Sequence, residues 1–155
     1  MNMHRLQLLS VLCVLLAPQQ IGFAQQIKKI PVAVSHKGTD EVGRSVADAL
    51  EGAIAASQRF LLVKSNTPRP RIIVNLDSVE ALGAPQLQGL VSAIGISIIY
   101  YRTGIAGVGV FLGTAINSCS PEIVNRCAQN IFPHIEQSAD FLQRHDPDLW
   151  NTLVN

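Results

Sequence analysis

Few residues in this chain have types and spacing suited to chemistry. Serine, histidine and aspartate all occur, but no G-x-S-x-G turn presents a serine as a nucleophile. His36 lies between Ser35 and Lys37, just before a helical pattern, where it can meet an anion at the helix start or act as a base. Asp77, with Glu80 three residues on, is the candidate carboxylate. Solvated loop and surface charge accounts for both equally well, since nothing around them specifies a reaction. No catalytic residue is therefore assigned, and an enzyme here would use His36 or Asp77.

The run GIAGVGVFLGTAI, residues 104–116, invites a phosphate-loop reading. Gly107, Gly109 and Gly113 give G-x-G-x-x-x-G, which is not the dinucleotide spacing, and no Lys-Ser/Thr pair follows. The run instead alternates with period two. Val108, Val110, Leu112, Thr114 and Ile116 oppose Gly107, Gly109, Gly113 and Ala115, with Phe111 as an interruption, as in a strand. A face made of glycine lets another element or molecule lie close, so these three glycines are a candidate contact surface.

Cys119 and Cys127 are the remaining chemically distinctive pair. They are expected to form a disulfide, because two thiols without further ligands at suitable spacing do not make a metal site. No metal or cofactor is called for.

That redox argument rests on the amino terminus. MNMHRLQLLSVLCVLLAPQQIGFAQQ has a basic start, an apolar core from Leu6 to Leu16, and small residues at Gly22 and Ala24. This is the layout of a secretory signal peptide over residues 1–24, cleaved after Ala24. The apolar core is too short to span a bilayer. Cys13 lies inside that core after Leu12, unlike a lipoprotein cysteine, which follows a small residue. The mature protein is thus expected to be periplasmic or secreted, where a disulfide persists.

Cleavage leaves about 131 of the 155 residues, enough for one domain. The chain has 12 basic and 11 acidic residues, and of these only Arg5 falls in the leader, so the mature protein is close to neutral. Neither nucleic acid nor an anionic membrane surface is favoured as a partner.

The elements that must position these residues follow from periodicity. IKKIPVAVS, residues 27–35, reads as a strand whose Pro31 demands a sheet edge or pairing on one side only. Thr39 is the expected cap of a helix with Asp40 and Glu41 in its first turn and an apolar face running from Val42 to Ile54. Strands are expected at residues 59–65, 71–79 and 91–103, the last with Ile94, Ile96, Ile98 and Tyr100 on one face. The glycine-rich strand completes a hairpin with it.

Ser120-Pro121-Glu122 starts a helix, expected to bury Ile123, Val124, Cys127, Ala128, Ile131 and Phe132. Pro133 should kink or restart that helix, with Phe141 and Leu142 continuing its apolar face. Asp146-Pro147 opens a short amphipathic tail carrying Trp150, either docked on the core or free as a contact residue. The division is a leader at residues 1–24, one domain at 25–145 and a tail at 146–155. The fold class is mixed α/β, a largely antiparallel sheet with helices on one face.

The apolar region around 89–116 also suggests a membrane-associated hairpin, but Arg102 divides it into halves too short to span as helices. No stable membrane insertion is expected after signal cleavage.

VADALEGAIAASQRFLLVKS resembles the helix-to-strand unit of small bacterial envelope α/β domains. These include the amino-terminal domain of the Tol-Pal periplasmic protein, the curli-secretion lipoprotein and lipoprotein activators of peptidoglycan synthases. The likeness centres on Ala55-Ala56-Ser57-Gln58-Arg59-Phe60, with Gln58 at the family's usual glycine. It implies a non-catalytic module that binds another envelope protein, and it transfers no functional residue. A small-ligand-binding protein or hydrolase is the alternative.

Overall fold

The computed structural model describes residues 28–80, 90–102 and 109–155. The expected leader and Gly107 lie outside the described residues.

Among the described residues, five strands and three α-helices form a mixed α/β fold. The strands are β1 (Ile30–Lys37), β2 (Phe60–Leu62), β3 (Arg71–Glu80), β4 (Ser92–Tyr101) and β5 (Gly109–Cys119). The helices are α1 (Glu41–Ala56), α2 (Val124–His145) and α3 (Pro147–Val154). The sheet order is β2-β1-β3-β4-β5. β1 runs parallel to both β2 and β3, whereas β3, β4 and β5 form two long antiparallel ladders.

β1 is therefore not a sheet edge. Pro31 is buried and registers with Leu61 of β2, while the ladder to β3 begins only at Val32. The missing donor is accommodated by one-sided pairing, and the exposed edges are β2 and β5.

The core lies between the sheet and the helices. Ile72, Val74 and Leu76 of β3 and Ile94, Ile96, Ile98 and Tyr100 of β4 are buried beneath Val46, Leu50 and Ile54 of α1 and Ile131, Ile135 and Leu142 of α2. The period-two and three/four-residue patterns in the sequence generate these two matched faces.

Several local expectations change. Asp40, not Thr39, is the cap of α1, and its Oδ1 accepts from Gly43 N at 2.6 Å. Ser120-Pro121-Glu122 opens a single 3-10 turn, Pro121–Ile123, before α2. The Ser120 hydroxyl donates to Glu122 Oε2 and accepts from no helix amide. Ile123 and Phe141 are exposed.

α2 passes through Pro133 without a break. Ile131 and Ile135 are both fully buried, so packing holds the two halves of the helix on one sheet despite the lost hydrogen bond. Ser57 Oγ accepts from Arg59 N and Phe60 N at 3.1 and 3.3 Å. Gln58 keeps negative φ, so the turn does not require the glycine found in the resembling domains. α3 packs against α2 and β1 with Leu153 buried.

Candidate functional site

Two places in the described chain gather functional groups. The first is a partly buried polar cluster where the carboxyl end of β1, the start of α1, and the paired ends of β3 and β4 meet. Asp40 is its centre. Ser92 Oγ donates to Asp40 Oδ1 at 2.6 Å, and Ser78 Oγ donates to Oδ2. The Ser78 proton is thereby committed, so the His36 nitrogen 2.7 Å from Ser78 Oγ must be the donor, as Nε2–H. Ser78 and Ser92 are only 5% and 1% exposed.

Burial pushes the Asp40 carboxyl upward, but hydrogen bonds from Ser78, Ser92 and Gly43 N outweigh that, and it titrates below its ordinary value. Space for the cluster comes from two glycines. A Cβ at Gly43 would overlap Ser78 Oγ and stand 2.9 Å from His36 Nε2. Gly38 turns at φ 143°, and a Cβ there would meet Ser78 O at 2.6 Å. Both side-chain clashes enforce glycine, the second together with its backbone angle.

This cluster does not have the geometry of nucleophilic catalysis. A general base must accept the serine proton, whereas this imidazole donates to Ser78 and the carboxylate takes the hydroxyl proton directly. The cluster is a satisfied lock that joins three strands to one helix. Asp77 is not part of it: Asp77 registers with Lys37 and Gly95, is exposed, and lies on the opposite face of the sheet from His36. His36 and Asp77 are not brought together.

The second place is the edge strand β5 and the cleft beside it. β5 carries eleven residues, Gly109–Cys119, none charged and none proline. The expected alternation shifts at a bulge, since Ile98 pairs with Gly113 but Ile99 with Phe111, leaving Leu112 as the extra residue. Gly113, Ala115 and Asn117 consequently face the helices, while Thr114 and Ile116 face away from them.

α2 runs back along β5, held at one end by the Cys119–Cys127 disulfide, whose Cα atoms are 6.3 Å apart. A Cβ at Gly113 would come no nearer than 3.9 Å to Ser138 Oγ, so α2 does not press on this glycine. The small side chains leave an open cleft of about 430 Å³. Its floor is Ile96, Ile98, Leu112, Gly113 and Ala115, and its wall is His134, Gln137, Phe141 and Arg144 of α2.

The other predicted contact residues behave differently. Gly109 lies against β4, where a Cβ would meet Ile99 Cγ2 at 2.5 Å, so its smallness serves cross-strand packing. Trp150 is half-buried on the core, and α3 begins with Asp146 Oδ1 accepting from Leu149 N at 3.0 Å.

On the face away from the helices, exposure is concentrated at the β5 end of the sheet. Phe111 and Val79 are each 61% exposed and Ile116 82%, with small Ala93 and Gly95 of β4 beside Val79 and Ile116.

Asp40, Ser78 and Ser92 were not singled out by sequence reasoning, which treated Asp40 as a dipole-compatible first-turn acid. The readable signal was Asp40-x-x-Gly43 at a helix start; the two serine partners lie 38 and 52 residues away.

No protein-family model matches this chain. No curated protein matches it either. Among solved structures, rare lipoprotein B of Shewanella oneidensis aligns with TM-score 0.32 and 11% identity over 73% of this chain and 98% of its own. A hypothetical protein of Chlamydia trachomatis aligns with TM-score 0.32 and 11% identity over 78% of this chain and 98% of its own. No helix among the described residues is long and apolar enough to cross a membrane.

Proposed function

We propose that this protein is an exported, non-catalytic binding module of the bacterial cell envelope that accepts an extended segment of another envelope protein alongside β5. One observation carries the proposal. Among the described residues, an uncharged, proline-free edge strand of eleven residues leaves a row of backbone donors and acceptors unpaired beside exposed Phe111 and Ile116.

Edge strands that are meant to stay unpaired are usually short, charged or broken by proline. The opposite edge follows that pattern, since β2 has only three residues, preceded by Arg59 and followed closely by Lys64. β5 is long, uncharged and proline-free, interrupted only by the bulge at Leu112, and strand addition satisfies its backbone directly. The leader-like amino terminus and the disulfide support export, and the resemblance at residues 46–65 supports an envelope role. The catalytic alternative is weakened by the hydrogen-bonding direction at Ser78 and by the separation of His36 from Asp77.

Photocrosslinking in intact bacteria tests the reading. Benzoylphenylalanine placed at Thr114 or Ile116 is expected to trap one discrete protein, while the same probe at Leu61 on the β2 edge traps none. Equal trapping from both edges, or none from β5, overturns the proposed surface. Amino-terminal sequencing of the mature protein is expected to begin at Gln25, and retention of the intact leader in the cytosol rules out export.

A further inference from the structure

Resting on strand addition at β5, we infer that the accepted strand carries acidic side chains four residues apart on the face that enters the cleft, with an apolar side chain between them. The cleft supplies the reasons. A strand paired with β5 lies about 4.8 Å beyond it, so its inward side chains continue the row of Gly113, Ala115 and Asn117 beneath the flank of α2. That row is made of small residues and leaves the 430 Å³ cleft unfilled, so the entering side chains have to supply the missing volume.

Charge decides their character. The wall contains Arg144 and His134, and no described Asp or Glu lines the cleft. Asp140, one turn before Arg144 on α2, has its carboxylate engaged by Arg59, and Asp146, two residues beyond Arg144, accepts from Leu149 N as the cap of α3. Arg144 is held through Nε–H to Asp140 O at 3.1 Å, which leaves both terminal guanidinium nitrogens to meet a carboxylate.

Spacing follows from the two helical positions. Ten residues along α2 cover about 15 Å. Four residues along a strand cover about 14 Å and return to the same face. Acids at that interval therefore reach both ends of the wall, and the residue between them meets Phe141, which is 48% exposed. The pattern is symmetrical, so either strand direction fits.

A second copy of this chain does not meet these demands. Pairing β5 with β5 brings another Gly113, Ala115 and Asn117 against the cleft, which enlarges the void instead of filling it.

Two amidated peptides carrying the same amino-terminal dye test the inference on the mature protein by fluorescence anisotropy. The first is Thr-Val-Thr-Glu-Thr-Val-Thr-Glu-Thr-Val-Thr; the second replaces both Glu by Gln. The acidic peptide is expected to bind at least tenfold tighter at about 0.01 M salt, with the difference reduced at about 0.15 M as screening shortens. Arg144→Gln should remove most of the difference. Ala115→Leu, which fills the cleft from within, should weaken both peptides while raising Tm or leaving it unchanged.

Equal binding of the two peptides, with slowed amide exchange in β5, overturns the acidic pattern and leaves strand addition standing. Binding of neither peptide, or binding without any change in β5 exchange, overturns both. A concentration-dependent dimer in sedimentation that is abolished by Ile116→Lys identifies a second copy as the occupant and overturns the inference.

Discussion

Replacing Asp40 by alanine removes three interactions at once, and the structure indicates how their loss should combine. The amide of Gly43 loses its cap, which costs about 0.5–2 kcal/mol in comparable helices. Ser92, 1% exposed, loses the acceptor of its hydroxyl, and a buried polar group left unpaired costs about 1–3 kcal/mol. Ser78 retains His36 and so adds less.

The expected destabilisation is about 2–5 kcal/mol, a large share of the roughly 5–15 kcal/mol that holds a domain together. In urea, followed through the single tryptophan, Trp150 on α3, it should lower the midpoint by roughly 1–3 M without changing the slope. The same assay separates the two terms. Ser92→Ala should be clearly destabilising in the natural protein. In the Asp40→Ala background it should be near neutral or stabilising, because it removes the orphaned hydroxyl, giving a coupling of about 1 kcal/mol or more. Strict additivity, or a total loss from Asp40→Ala below about 1 kcal/mol, would refute the view that this cluster locks the strands to α1.

The folded carboxyl of Asp40 titrates below its ordinary value of 3.8, so its stabilisation is complete above that value and is lost as pH falls toward the folded one. Urea midpoints measured between about pH 5 and 3 should therefore fall more steeply for the natural protein than for Asp40→Asn, which keeps the cap but cannot titrate. Gly43→Ala, despite its better helix propensity, should destabilise by several kcal/mol on thermal melting, since its Cβ overlaps Ser78. Tyr100 is 1% exposed and its hydroxyl has no hydrogen-bond partner, so Tyr100→Phe is expected to be neutral or to raise Tm. Reduction of the Cys119–Cys127 bond, which closes a loop of eight-residue separation, should cost about 2–3 kcal/mol, read as a lower urea midpoint in dithiothreitol.

Patterns that depend on neighbours in sequence were legible without coordinates. The alternation of Ile94, Ile96, Ile98 and Tyr100 identified the buried face of β4, and the Val42-to-Ile54 spacing identified the face of α1. The mixed α/β class followed from the order of such segments. The cysteine pairing was legible because only two thiols lie outside the expected leader.

Features that depend on register were not. Phe141 continues the helical pattern of α2 yet faces the cleft, and a one-residue bulge at Leu112 decides which of the glycine-run side chains meet α2. Pro31 called for a sheet edge or one-sided pairing, and only the structure chose the second: β1 is flanked by β2 and β3, whose ladders start two residues apart so that the proline pairs with β2 alone.

By itself the sequence determined the strand and helix types, the two apolar faces, the near balance of charge and the disulfide, since each is set by local spacing or by composition. Only the tertiary structure decided that Asp40 is bound by serines from β3 and β4, because that contact joins residues up to 52 positions apart. It also decided that the small residues of the glycine-rich strand lie over an unfilled cleft at an open sheet edge, since strand order and the distance of a helix from a sheet are properties of the assembled chain.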